Sequence, residues 1–428
     1  MRRYNIIQFI HSNKIANRFI KVFSIDVLVK GASFLLLPVY LHLMTQSEVG
    51  SFNYIFSFLQ TLTILFCFGL YTPQSKLYFD YHGSERGQLL FSINAILLIM
   101  LICILAPIYI FRLDFKIITF LFDHHIAYEQ YRAVLLSALL VSVGNYMLFN
   151  YLLTSEKIRK VQIYNTLRLI LDNCVVLSIL YFSDGDKVFQ RLSAYYVCEG
   201  IVLIGFLPLY IRNFKIRIDK SQIRRIFKLS IPMFATVIIS TIYAFSDKYF
   251  IQEKTDMNIL ATYTTGLTIA SVCALIIQSF QNIWLPLFFQ EKDLQQNIQK
   301  TKKMIRIIIF SFTGISIFMI LGVKVALEFN IIPMVYESVL IILPFLFLAQ
   351  IISAVNTMWA NYFAYFERMT AGTLIGGGAY IIGFVLNFLL IPRYGVTGAI
   401  ISLLSGNIIL ATMVYLHIKK LRYNYTHL

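Results

Sequence analysis

An all-α integral membrane protein of about twelve transmembrane helices, arranged as two pseudo-repeated halves of six, is the fold class that this sequence predicts. Three observations lead there. Hydrophobic residues fill 58% of the 428 positions and charged residues only 14%, against roughly a quarter charged in an average globular chain. Apolar runs that reach or approach the ~20 residues a helix needs to cross a ~30 Å hydrocarbon core recur between 22 and 416, whereas barrel strands would show alternating segments of about ten residues. A basic stretch at 212–228 then divides the runs into equal halves.

In order, the first half holds runs at 22–41, 52–71, 89–111, 133–153, 163–182 and 193–211. After the basic stretch come 229–251, 261–288, 304–326, 339–358, 371–390 and 396–416. The predicted organisation is an N-terminal six-helix bundle over 1–211, a cytoplasmic basic linker over 212–228 and a C-terminal six-helix bundle over 229–428. A faint internal repeat supports the division: Val49-Gly50-Ser51-Phe52 and Leu260-Ala261-Thr262-Tyr263 occupy the same place in their halves. If the halves repeat in the same direction, each begins and ends on one side, and a transport pathway is expected between them.

The formal net charge of +16 reports orientation, not a polyanionic ligand. Loops on the side of the N-terminus carry roughly 25 Lys/Arg against 7 Asp/Glu, the opposite loops roughly 6 against 10, and the runs themselves roughly 6 against 4. That asymmetry predicts a multi-pass protein with cytoplasmic N- and C-termini. It makes a nucleic-acid partner unnecessary. The segment 1–21 has scattered charges and no small-residue cleavage site, so no removable signal peptide is expected there.

Metal and nucleotide chemistry have little support. Cys67, Cys103, Cys174, Cys198 and Cys273 all fall within apolar runs without CxxC spacing and are expected to pack. His124 and His125 follow Asp123 in an outside loop that supplies no convincing further ligands. No Walker motif occurs, and the glycines at 372 and 376–378 are expected to mediate close helix contact or a turn. No metal or cofactor is predicted, and coupling to H+ or Na+ stays open.

An ionisable side chain at the bilayer centre costs on the order of 3 kcal/mol, so each one needs a partner, water or a function. Asp26 and Lys30 lie four apart in the first run, and Arg168 and Asp172 four apart in the fifth, spacings that share a helix face. These pairs either neutralise themselves or line a hydrated pathway. Lys30, Arg168 and Lys248 are the candidate substrate contacts, the arginine fork suiting phosphate oxygens and lysine acting as a point charge. Asp26, Asp172, Glu199 and Asp247 are candidates for orienting them or coupling to ions. Glu199 has no evident partner in sequence, while Asp247 and Lys248 are expected near an outer helix end, where a long side chain can snorkel. Gln278, Gln281, Asn282 and Asn356, near Trp284 and Trp359, are expected to bond between helices or to meet sugar hydroxyls.

Several local sequences resemble a known family. Leu37-Pro38-Val39-Tyr40-Leu41, Thr45-Gln46-Ser47-Glu48-Val49-Gly50 and Phe68-Gly69-Leu70 are similar to the first two spans of bacterial polysaccharide or O-antigen repeat-unit flippases, of the multidrug/oligosaccharidyl-lipid/polysaccharide exporter superfamily. Ser246-Asp247-Lys248-Tyr249-Phe250-Ile251 resembles the seventh-span pattern, with Lys248 where arginine is commoner. The stretch from Leu386 through Pro392, Gly395 and Gly398 to Ile400 resembles the final hairpin, in which Pro392 is expected to end the eleventh span, Gly395 to turn and Gly398 to let the returning helix pack closely.

That resemblance implies two six-helix bundles around a central cavity open alternately to each side. It implies a flippase, not an enzyme, that moves polyprenyl-pyrophosphate-linked repeat units between leaflets. Membrane lipid, a polysaccharide polymerase and a chain-length regulator are the implied partners. Two rivals remain: a multidrug/cation exporter, which would favour an acidic pocket, and a membrane glycosyltransferase or polymerase, which would need catalytic residues in a sizeable outside loop. The longest such loop, 112–132, holds Asp114, Asp123, His124, His125 and Glu129.

Overall fold

The computed structural model describes residues 35–122, 128–291 and 293–426, and among these residues there are helices and turns but no strand. Ten of the described helices are long and apolar enough to cross a membrane. The protein is an all-helical, multi-pass integral membrane protein. Predicted spans two to four and six to ten each fall on a helix of their own, span five runs through two short helices and the turn that joins them, and spans eleven and twelve share the last helix. Most of the first predicted span, with Asp26 and Lys30, lies outside the described residues.

The described helices are α1 (Leu37–Leu43), α2 (Gln46–Phe66), α3 (Tyr71–Leu77), α4 (Gly83–Ile110), α5 (Leu113–Phe122), α6 (Tyr128–Thr154), α7 (Ile158–Ile170) and α8 (Val176–Phe182), followed by α9 (Lys187–Ile211), α10 (Lys220–Lys254), α11 (Met257–Gln290), α12 (Leu294–Glu328), α13 (Val339–Tyr365) and α14 (Met369–Thr426). Loop acids cap several of them. Asp186 accepts from the amides of Val188 and Phe189, Asp256 from that of Ile259, and Asp293 from those of Gln295 and Gln296, which satisfies N–H groups that a helix start leaves without partners.

The chain divides into two compact units, one made of the residues up to Gly50 with Phe250–Leu428, the other of Ser51–Tyr249. In the first, α2 begins against the start of α11. A Cβ built on Gly50 would lie 1.9 Å from the carbonyl oxygen of Met257, so only glycine permits this approach. Gln46 fastens the contact by donating to Thr262 Oγ1 at 2.9 Å and to the Asn258 carbonyl at 3.2 Å. The two tetrapeptides that suggested an internal repeat therefore belong to neighbouring helix starts.

In the same unit α14 folds back on itself. The turn comes at Gly395, as the sequence predicts, with φ +55° and ψ −133°; the eleventh span does not end at Pro392, which the helical segment runs through. Pro392 removes a single donor, whereas the left-handed backbone at 395 reverses the chain and needs glycine. Close packing of the returning arm is as the sequence predicts: a Cβ on Gly398 would sit 2.3 Å from the Leu390 carbonyl oxygen. The glycines at 376–378 do not mediate helix contact, since nothing lies within 4 Å of a Cβ built on any of them.

Interhelical hydrogen bonds account for part of the predicted polar set. Asn361 of α13 donates to Gln281 of α11 at 3.1 Å, and Tyr362 donates to Asn297 of α12 at 2.8 Å. Of the cysteines, Cys67, Cys198 and Cys273 are buried while Cys103 and Cys174 are exposed, so the packing reading holds for three of five.

Candidate functional site

The charged residues that interrupt the apolar helices gather most densely in the Ser51–Tyr249 unit, where α6, α7 and α9 meet. Close backbone approach makes the meeting possible. Gly144 of α6 faces Leu203 of α9, a Cβ there coming to 2.9 Å of the leucine methyl. Beside it, Asn145 reaches across to α9, donating to the Glu199 backbone carbonyl at 3.0 Å and to its Oε2 at 2.7 Å.

Glu199 is not partnerless, as the sequence suggests. Its Oε1 accepts from Arg168 Nε at 2.6 Å, and Arg168 Nη2 also pairs with it. Asp172, the partner predicted for Arg168 from i,i+4 spacing, stands farther off at 3.9 Å. Tyr164 completes the set, donating its hydroxyl to Asn145 Oδ1 at 2.9 Å while its ring lies 5.6 Å from the Arg168 guanidinium carbon.

The reason for the looser local pair is a π turn, Leu171–Val175, between α7 and α8. Asn173 donates its side-chain amide to the Leu169 carbonyl at 2.7 Å, the acceptor its own backbone N–H would use in a regular helix. A side chain that takes a ladder carbonyl favours insertion of one residue into the turn. Such π turns occur mostly as single turns inside α-helices and often at functional sites. Regular spacing is lost between Arg168 and Asp172, and Glu199 takes the guanidinium.

Exposure is uneven within the cluster. The side chains of Glu199 and Asp172 are 4% and 13% exposed, whereas that of Arg168 is 31% exposed. The result is an oriented guanidinium, gripped from one side by two carboxylates and open on another. With both acids ionised the trio carries one net negative charge. Chemically it can offer N–H donors to an anionic group, or gain a proton or small cation.

Asp247 and Lys248 form a separate local pair. Lys248 Nζ lies 3.1 Å from Asp247 Oδ1 and 3.1 Å from the Ala244 carbonyl, so the ammonium turns back along α10. The helix continues to Lys254, and both side chains are largely buried, 16% and 17% exposed. They are not snorkelling from a helix end. Asp26 and Lys30 lie outside the described residues.

Of the acids at 112–132, Asp114 has a structural duty and Glu129 is exposed at the start of α6. Asp114 accepts from Arg132 Nε at 2.5 Å and from Tyr128 at 2.8 Å. Arg132 also donates to the Tyr109 carbonyl at 2.6 Å and covers the Tyr109 ring at 3.9 Å. Burial pulls the Asp114 carboxyl upward, but these hydrogen bonds outweigh it and hold the group below the usual aspartate range. His124 and His125 lie outside the described residues, and among those described no group of three or more His, Cys, Asp or Glu could hold a metal.

A second polar centre of this unit was not singled out in the sequence. Tyr210 accepts from Gln74 at 2.5 Å and Asn94 at 2.6 Å, and Asn150 joins Gln74 to the Tyr71 carbonyl at 3.2 Å. It binds α3, α4, α6 and α9 together without charge. The recurrence of single Asn and Gln residues within apolar runs is the only signal of it.

This arrangement of helices is found in solved transporters. A lipid II flippase, MurJ, in an inward closed conformation, matches with a TM-score of 0.71 at 13% identity, over 92% of this chain and 87% of that one. An inward-facing multidrug resistance MATE family transporter of the MOP superfamily matches with a TM-score of 0.73 at 14% identity, over 95% and 99%. A MOP superfamily transporter from Pyrococcus furiosus, whose binding pocket is described as reversed in polarity, gives 0.63 at 14% identity, over 95% and 96%. The fold is therefore that of the MOP superfamily transporters. No curated protein matches the chain by sequence. The family model for polysaccharide biosynthesis proteins matches residues 16–292, and the chain belongs to that family.

Proposed function

We propose that the protein is a flippase that turns polyprenyl-pyrophosphate-linked oligosaccharide repeat units, of O-antigen or a related surface polysaccharide, from the cytoplasmic to the periplasmic leaflet by alternating access. Membership of the polysaccharide biosynthesis family supports a glycan cargo, and the fold shared with a lipid II flippase supports a lipid-linked one. A sugar pyrophosphate cannot enter hydrocarbon without a very large desolvation cost, so a protein must provide polar contacts across the membrane. Transport requires two arrangements of helices close in free energy, whose populations the cargo or an ion shifts.

The observation that carries the reading is Arg168: a cation held in an apolar helix, aimed by Glu199 and Asp172, with 31% of its side chain open. Its free donors suit a pyrophosphate oxygen. Lys30 is the companion contact and Lys248 a weaker one, its ammonium being already engaged. Asp26, Asp172, Glu199 and Asp247 orient these cations or couple transport to H+ or Na+. The protein is then a transporter, not an enzyme, of the bacterial inner membrane with both termini cytoplasmic. It would work beside a polysaccharide polymerase and a chain-length regulator.

The net negative charge of the Arg168, Asp172 and Glu199 trio favours a second reading, export of a cationic compound. Deletion of the gene, complemented by wild type or Arg168→Gln, separates the two. Lipid-linked repeat units should accumulate on the cytoplasmic face in the deletion strain and with the variant, and surface glycan should be lost. Intact surface glycan together with lost efflux of a cationic dye would establish the exporter instead.

A further inference from the structure

The basic stretch between the halves contains a built feature that the transport reading leaves unused. At the start of α10, Arg224, Arg225 and Lys228 line an open recess of about 660 Å³ together with Phe227, Ile231 and Pro232. No acid lines it.

Its position follows from helix length. The 35 residues of α10 extend ~52 Å at 1.5 Å per residue, well beyond a hydrocarbon core of ~30 Å. The apolar part begins at Leu229, so Arg224 and Lys228 occupy the turns that emerge at the polar boundary while Ile231 and Pro232 enter it. Ile216 and Ile218, which alternate with Lys215 and Arg217 just upstream, are 87% and 59% exposed, as is Ile231 at 61%. Exposed isoleucines among cations are the composition of a segment that lies in a membrane interface.

The recess is held in place. Lys215 donates its amide to the Gly87 carbonyl at 3.1 Å, Gln222 donates to the Glu85 carbonyl at 3.3 Å, and Arg225 pairs with Asp80 at 2.6 Å and donates to Tyr81 at 3.0 Å. Asp219 is turned to Ser221. Asp80 thus offsets Arg225. Arg224 and Lys228, four apart on one exposed helix face, make no ion pair among the described residues.

We infer that this recess binds an anionic phospholipid of the surrounding leaflet, the headgroup phosphate between Arg224 and Lys228 and an acyl chain along Phe227, Ile231 and Pro232. Two uncompensated cations beside an apolar wall complement a phosphodiester on a hydrocarbon tail; a soluble anion would leave the wall unmatched. The inference requires only that the chain lies in a membrane and stands apart from the identity of the cargo.

The test is lipid retention by the full-length, delipidated protein, measured by native mass spectrometry during titration with phosphatidylglycerol or phosphatidylcholine. Wild type should prefer phosphatidylglycerol. Arg224→Gln with Lys228→Gln should weaken that binding about twenty-five-fold, at about fivefold per cation removed, and leave phosphatidylcholine unchanged. Arg224→Lys with Lys228→Arg should keep the preference. Equal binding by the doubly neutralised variant would overturn the site, as would an equal loss from neutralising Lys419 and Lys420 of the other unit. Displacement of phosphatidylglycerol by millimolar inorganic phosphate would assign the recess to a free anion and also overturn it.

Discussion

Arg168 donates to Glu199 across 31 residues at 2.6 Å, closer than to Asp172, four residues on in the same span, at 3.9 Å. The long-range pair joins α7 to α9 and turns a cation inside an apolar region into an oriented donor. Two consequences of this pair can be measured, and two further predictions rest on contacts elsewhere in the fold.

Breaking the pair from the arginine side leaves Glu199, 4% exposed, with an uncompensated charge. Arg168→Gln should lower unfolding stability in detergent by about 3 kcal/mol. Arg168→Gln combined with Glu199→Gln should recover part of that loss, because neither member is then a buried unpaired ion. Additive effects of the two substitutions would mean that the pair is not coupled.

Asn145 holds Glu199 by donation and accepts from Tyr164. Asn145→Asp removes the donor and sets a second carboxylate against the first. It should abolish complementation, whereas Tyr164→Phe should cost only about 1 kcal/mol and retain transport. Transport by Asn145→Asp at the wild-type rate would contradict the importance of the Glu199 geometry.

Close backbone approaches at Gly50 and Gly398 leave no room for a Cβ. Gly50→Ala and Gly398→Ala should each destabilise the fold by about 1–3 kcal/mol and reduce yield. Gly376→Ala, where a Cβ meets nothing within 4 Å, should be neutral or slightly stabilising. Thermal unfolding of the three variants side by side decides it.

Asp114 has a depressed folded-state pKa despite its burial, through Arg132 and Tyr128. A depressed carboxyl stabilises the fold above the unfolded-state aspartate pKa, and the contribution disappears as pH falls through the folded value. The melting temperature of wild type should therefore exceed that of Asp114→Asn near neutrality and converge on it in strong acid. Surface glycan should persist in this variant, since Asp114 is a structural clip; its loss at normal expression would revive the polymerase reading of that loop.

The spans were legible in the sequence because length and apolar composition suffice to mark a membrane helix. The contact made by Gly398 was legible as well, as a small residue beside a turn. Glu199 was recognised as a candidate without its partner, since i,i+4 spacing draws attention to Asp172 and no local rule pairs residues 31 apart. The π turn at Leu171–Val175 depends on Asn173 taking a backbone carbonyl, which composition does not reveal. The turn at Gly395 was legible too, but Pro392 marks the end of the eleventh span only on paper: the helix runs through it, and the positive φ of Gly395 ends it three residues later.

Reconstitution tests the flippase proposal most directly. Purified protein is placed in vesicles carrying a fluorescent polyprenyl-pyrophosphate oligosaccharide in both leaflets, and a membrane-impermeant quencher reports the outer pool. With wild type the protected inner pool should become quenchable over time, and with Arg168→Gln it should stay protected. An inner pool that stays protected with wild type, in vesicles from which the same protein expels a cationic dye, would contradict the flippase account.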